Sequence, residues 1–139
     1  MTITGLLAQL QRDEGLRLHA YKDSVGVLTI GYGHNLEAHG ITEAVASAIL
    51  AEDIDRARAD VLTRIPVSMA LDEIRRDALI NMAFNLGIVG LLRFTALLGA
   101  LEQQDWPAAA QAMLDSKWAR QVGERAHRLA DQMRDGSYH

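Results

Sequence analysis

Two carboxylates and a hydroxyl stand close together near the start of this chain. Glu14 opens the run Glu14-Gly15-Leu16-Arg17-Leu18, Asp23 follows Tyr21-Lys22, and Thr29 lies in Leu28-Thr29-Ile30-Gly31-Tyr32-Gly33-His34. A glycosidic bond breaks when one carboxylic acid protonates the leaving oxygen while a second carboxylate activates a water or attacks the sugar. Glu14 and Asp23 can divide that work, with Glu14 as proton donor and Asp23 as base or electrostatic stabiliser. A hydroxyl such as that of Thr29 places a water by hydrogen bonding. Each residue also has an ordinary structural use. Glu14 reads as an exposed residue after a helix, Asp23 as a turn aspartate before Ser24 and Gly26, and Thr29 as a strand residue.

The elements that must position these groups follow from local pattern. Ile3, Leu6, Leu7 and Leu10 recur at helical spacing, so residues 3–12 read as a short amphipathic helix with Glu14 just beyond its end. From Leu18 to His34 the residues change to Gly, Thr, Val and Tyr around an Asp23-Ser24 and Gly26 turn, which predicts an antiparallel hairpin or three-stranded patch holding all the strand content. Thr42 is an N-cap candidate for a long helix over 43–63, closed before Pro66. Residues 73–86 are apolar on nearly every face, predicting a helix buried all round and stopped at Gly87. Short helices punctuated by Gly87, Gly90, Gly99 and Gly123 follow, with Pro107 in a first turn after Asp105 or Trp106. The fold class is α+β and mostly α-helical. Its plan is one domain of two lobes: a small lobe over about 14–60, and a helical lobe over about 66–139 that takes in the N-terminal helix 1–13.

The 139 residues make one domain's worth of chain, and the absence of cysteine removes disulfides and thiolate metal sites. A net charge of −4 argues against nucleic acid as the main ligand. Residues 116–134 are locally basic, with Lys117, Arg120, Arg125, Arg128 and Arg134 against Glu124 and Asp131. That end is either a solvated helix face or an attractor for anionic wall polymer. The start of the chain has no basic segment before an apolar run, and no stretch approaches the ~18 apolar residues of a membrane helix. The expectation is therefore a protein without an export signal or stable membrane association. His19, His34 and His39 match no compact metal-ligand spacing, so no metal and no cofactor is expected.

Three ordered blocks carry a family resemblance. Glu14, Asp23 and Thr29 at their spacing, with EGLRL, YKD and TIGYGH, resemble the active-site signature of the phage lysozyme family of the T-even type, glycoside hydrolase family 24. Leu71-Asp72, Arg75-Arg76, Ala78 to Met82 and Phe84 resemble the family's core helix, and Trp106, Ala109, Ser116 to Trp118, Arg125-Ala126 and Arg128 its C-terminal part. The resemblance runs collinearly from about Ile3 to Tyr138. It implies two lobes joined by the long helix, the N-terminal helix packed on the helical lobe, and a polysaccharide cleft between the lobes.

It also implies an endolysin cleaving the β-1,4 bond between N-acetylmuramic acid and N-acetylglucosamine of peptidoglycan, with Glu14, Asp23 and Thr29 catalytic. Phe84 becomes a cleft wall, with Asn35, Leu36 and Asn85 as further sugar-binding candidates. Arg125 is expected to pair with Glu14, and His34 with Asp53, while Tyr21, Gly31 and Gly33 support the site. Trp106 and Trp118 read as core residues rather than sugar platforms. A water-positioning threonine favours inversion, for which carboxyl groups stand ~6.5 to 9.5 Å apart against ~5 to 5.5 Å in retaining enzymes. The implied setting is a monomer held in the host cytoplasm until a holin releases it to the wall. Two alternatives stay open: a lytic transglycosylase, in which a muramic acid hydroxyl replaces water, and a non-catalytic wall-binding module on the same fold. The segment between His34 and Leu71 is shorter than in the long T-even type. The positions that contact peptidoglycan side chains there are Leu97 and Ala112 here, which leaves stem-peptide recognition without its usual residues.

Overall fold

The computed structural model describes residues 4–139. Ile3, the first residue of the predicted helical stripe, lies outside the described residues. The chain divides into two compact units, one ending at Ala48 and one spanning Ile49–His139, with the division inside a helix.

The small unit begins with α1, Thr4–Glu14. The helix runs two residues further than its apolar stripe predicts, so Glu14 is its last residue rather than a loop residue. Gly15 ends it with a φ of 72°, a conformation that other residues enter only with strain. Three strands follow, β1 Arg17–Lys22, β2 Leu28–Gly31 and β3 His34–Asn35, in the antiparallel order β1-β2-β3. Tyr21 pairs with Thr29 and Lys22 with Leu28, while Thr29 pairs with Asn35 and Ile30 with His34. The register of β1 shifts between Arg17 and Tyr21. A short helix α2, Leu36–His39, follows and is capped by the Asn35 side chain. Sequence pattern alone gave no sign of it.

The long helix α3, Glu43–Arg64, starts where Thr42 predicts, and the Thr42 hydroxyl accepts from the Val45 amide at 3.2 Å. Pro66 does more than end it: Pro66–Ala70 forms a 3-10 turn, held by the buried Ser68 hydroxyl donating to the Val61 carbonyl at 3.2 Å. Helix α4, Glu73–Leu86, has the predicted bounds. It is not buried all round, however. Ala78, Leu79, Met82 and Ala83 are enclosed, whereas Asn81, Phe84 and Asn85 face outward.

Helices α5 Ile88–Leu92, α6 Thr95–Glu102, α7 Trp106–Leu114, α8 Lys117–Val122 and α9 Glu124–Asp135 complete the helical unit. Gly87 and Gly123 end helices as predicted, but Gly90 and Gly99 lie within α5 and α6. Asp105 caps α7 by accepting from the Ala108 amide at 3.1 Å, with Pro107 in the first turn. The core gathers Val61, Leu79, Met82, Leu91, Leu97, Leu101, Met113, Trp118, Leu129 and Met133. Leu97 is fully enclosed, so it offers nothing to a ligand.

Both tryptophans serve this packing. Trp118 meets Phe94 edge to face, with 6.1 Å between ring centres, and donates its indole N–H to Asn85 Oδ1 at 2.9 Å. Half-buried Trp106 lies under the Arg75 guanidinium, 4.2 Å from its ring centre.

Asp72 caps α4, accepting from the Arg75 amide at 3.0 Å and from its guanidinium at 3.1 Å. Burial works to raise this carboxyl's pKa, but the backbone amide and the guanidinium of Arg75 outweigh it, so the net shift is downward from 3.8. A depressed carboxyl pKa adds stability above the unfolded value and loses it as pH falls through the folded one. Asp72→Asn keeps a good cap without the charge. We expect its stability deficit in urea melts to be present at pH 7 and to close below about pH 3.8. A deficit constant with pH would remove the charge from the explanation.

Candidate active site

The three residues expected to do chemistry lie in the small unit, and the strands give two of them defined geometry. Asp23 sits at the mouth of the β1–β2 turn. Its Oδ1 accepts from the backbone amides of Val25 and Val27, both at 2.9 Å. The turn is closed by the Asp23 amide donating to the Val27 carbonyl at 2.9 Å and the Gly26 amide donating to the Asp23 carbonyl at 3.0 Å. An aspartate that folds its own turn is common. Here the structural use occupies one oxygen, and Oδ2 has no partner among the described residues. Turn residue and base are therefore compatible readings of a single side chain.

Thr29 is in the central strand and only 4% exposed. Its hydroxyl donates to the Val27 carbonyl at 2.8 Å. That commits the hydroxyl proton, so toward a water Thr29 acts only as an acceptor. A water between Thr29 Oγ1 and a carboxylate directs both protons toward the protein and keeps a lone pair for attack.

Glu14 is exposed at the end of α1, and its carboxylate lies over Gly33. A Cβ built on Gly33 would stand 2.7 Å from Glu14 Oε2, closer than non-bonded atoms approach. Gly33 also has a φ of 74°. The second glycine of Gly31-Tyr32-Gly33 is thus required twice, for its backbone conformation and for the space the carboxylate fills. Gly33→Ala is expected to displace the Glu14 carboxylate and lower turnover by about tenfold or more, since small misplacements of a catalytic group are costly. It should also destabilise by roughly 1 to 3 kcal/mol through the left-handed backbone. Unchanged turnover in a folded Gly33→Ala protein would show that this placement of Glu14 is not the working one.

Tyr21 and Asn35 flank Thr29 on the neighbouring strands. The Arg17 guanidinium stacks over the Tyr21 ring at 4.6 Å from its centre, which covers one ring face. Asn35 Oδ1 accepts from the Ala38 amide at 2.8 Å, and Leu36 is the first residue of α2.

For two pairs expected from the family resemblance, the structure supplies each member with a neighbour in its own unit. His34 Nε2 lies 2.6 Å from the Gly40 carbonyl, while Asp53 accepts from Arg56 at 3.2 Å. Glu14 rests on Gly33, while Arg125 donates through Nε and Nη2 to Asn81 Oδ1 at 3.1 and 2.7 Å. Among the described residues, no three His, Asp or Glu side chains converge as a metal site would require.

In the helical unit Phe84 lines a groove of about 370 Å³ with Ile54, Asp77, Ile80, Asn81 and Arg125. Asn85 has its oxygen taken by Trp118, a supporting use that its position in the sequence did not announce. Asp77 accepts from the Tyr138 hydroxyl at 2.6 Å, and that hydrogen bond pushes the Tyr138 pKa up to about 12.

Comparison with known proteins places this equipment. The phage lysozyme family model matches residues 11–134. The chain is 33% identical to the pre-baseplate central spike protein of Enterobacteria phage T4 over 86% of its own length, although it spans only 26% of that protein. It is 28% identical to probable T4-type lysozyme 1 of Dictyostelium discoideum, covering 97% of this chain and 96% of the relative. To the endolysin of Salmonella phage P22 it is 35% identical, over 78% of this chain and 77% of that one. The family model takes in Glu14, Asp23 and Thr29 together with the helical unit through Arg134, and on this evidence the chain belongs to the phage lysozyme family of hydrolases.

Proposed function

We propose that this lysozyme hydrolyses the β-1,4 bond between N-acetylmuramic acid and N-acetylglucosamine in peptidoglycan, with inversion at the cleaved sugar. Glu14 gives its proton to the glycosidic oxygen as the bond from that oxygen to the anomeric carbon breaks. A water attacks the same carbon from the opposite face and passes a proton to Asp23. The observation that carries the reading is the division of labour within Asp23 and Thr29. Asp23 folds the turn with Oδ1 and leaves Oδ2 without a partner among the described residues, while Thr29 has spent its proton on Val27 and is left as an acceptor. Together they suit a water that must be held and deprotonated. A transglycosylase, whose nucleophile belongs to the substrate, has no use for such a pair.

Proton NMR of the first-formed sugar anomer tests the stereochemistry: the α anomer is expected before mutarotation, and the β anomer would establish retention instead. In this reading the protein acts as an endolysin. It is monomeric, accumulates in the host cytoplasm, and reaches the wall when a holin opens the membrane. Among the described residues no helix is long and apolar enough to cross a membrane. The likeness to the T4 spike protein favours a second setting, in which the same hydrolase works as a part of a larger assembly.

A further inference from the structure

We propose that Arg17 is a positioning residue for the hydrolysis, acting through the ring of Tyr21 to wall the place where the water meets Thr29. The proposal rests on the reading of the small unit as a glycoside-cleaving site and adds to it a residue that touches neither the substrate nor the water.

Its origin is the irregular pairing of β1. Arg17 pairs with Gly31 and Tyr21 with Thr29, so β1 spends four residues where β2 spends two. At about 3.3 Å per residue, a regular strand would hold Arg17 and Tyr21 about 13 Å apart, whereas the partners on β2 set them at about 7 Å. The residues between them, Leu18, His19 and Ala20, are exposed and take up the extra length. Bulges of this kind re-aim side chains beside active sites. This one carries the Arg17 guanidinium onto the Tyr21 ring, 4.6 Å from its centre. Among the described residues no carboxylate pairs with Arg17, so the ring is its partner.

The ring in turn stands beside the catalytic hydroxyl. Tyr21 is directly opposite Thr29, and directly opposed residues share a sheet face with Cβ atoms about 4.5 to 5.5 Å apart. Thr29 is only 4% exposed, and Tyr21 is half-buried. The aromatic ring is therefore one wall of the space from which a water reaches Thr29 Oγ1. Arg17 closes off the ring's outer face and keeps it from swinging into solvent. Without that cover the wall opens, and an attacking water tolerates little displacement.

Arg17→Ala removes an exposed side chain, so its thermal midpoint should stay close to wild type. On soluble peptidoglycan oligosaccharides it should lower kcat about tenfold, with KM changed by no more than about twofold. Wild-type kcat in the folded variant would overturn the proposal. In a Tyr21→Leu background, Arg17→Ala should have no further effect, because the residue it acts through is gone. A second tenfold loss there would show that Arg17 works by another route.

A further measurement reads the ring itself. The chain has three tyrosines, so fluorotyrosine labelling lets each be followed by fluorine NMR, with the Tyr21 signal identified by its loss in Tyr21→Phe. Arg17→Ala should move the Tyr21 signal toward that of a solvent-exposed tyrosine and leave Tyr32 and Tyr138 in place. An unmoved Tyr21 signal would mean that the ring holds its position alone, and would overturn the proposal at any level of activity. A wild type that releases no reducing ends would fail the hydrolase reading itself, whereas equal activity of wild type and Arg17→Ala fails the role of Arg17 alone.

Discussion

Glu14→Gln should cost about three orders of magnitude in peptidoglycan cleavage, within the range that general acid catalysis contributes. The substitution keeps the shape of the side chain and removes the acid. Its structural effect should be small. Glu14 is an exposed residue at the end of α1, and its carboxylate touches Gly33, where an amide of the same size fits. The thermal midpoint is therefore expected to stay near wild type while clearing of permeabilised cells stops. Asp23→Asn provides the matching case. Its remaining oxygen still accepts from Val25 and Val27, so the turn survives and the base is lost. Near-wild-type turnover from a folded Glu14→Gln protein would remove Glu14 from the chemistry.

Arg75→Ala is expected to be the most destabilising single change on the polar side of the helical unit, by about 3 kcal/mol. Hydrogen bonds from a charged donor contribute roughly 1.5 to 3 kcal/mol each, and of the two carbonyls left behind that of Met133 is partly buried. Arg75 donates Nε to the Met133 carbonyl at 2.6 Å and Nη2 to the Arg134 carbonyl at 2.8 Å. Those carbonyls belong to the last turn of α9, which has no further helical amides to satisfy them and whose dipole favours a cation. The same guanidinium reaches Asp72 and stacks on Trp106. One side chain thus ties the start of α4 to the end of α9 and to the first residue of α7. Urea unfolding should show a lower midpoint at unchanged slope. Arg75→Lys should recover little, because an ammonium lacks the planar fork that serves two carbonyls at once. Full recovery by lysine would mean that charge alone accounts for the effect.

These two residues mark what could be read in the sequence and what could not. Glu14, Asp23 and Thr29 stand within sixteen positions of one another, and their roles depend on a short hairpin whose turn residues are visible. The bounds of α4 were legible from its apolar run and Gly87, the start of α3 from the Thr42 cap, and the start of α7 to within a residue from Pro107, since these signals act over three or four residues. Arg75 was visible only as part of a motif, because its acceptors lie 58 and 59 positions away. Asn85, a sugar-binding candidate on the family resemblance, also holds the Trp118 indole with its oxygen, a use set 33 positions away that no local pattern announces. Gly90 and Gly99 misled as punctuation. A glycine weakens a helix by only about 1 kcal/mol, and packing of Leu91, Leu97 and Leu101 into the core overrides that amount. Helix α2 is a four-residue turn that owes its existence to the Asn35 cap, too short for any hydrophobic period to announce.

The most direct test of a water held by Asp23 and Thr29 is a peptidoglycan digest in heavy-oxygen water, read at once by mass spectrometry. Hydrolysis predicts reducing N-acetylmuramic acid ends that each carry one heavy oxygen, made by wild type and absent with Glu14→Gln. Anhydro-muropeptides without label would show that the substrate's own hydroxyl does the attacking, and would contradict the role assigned to that water.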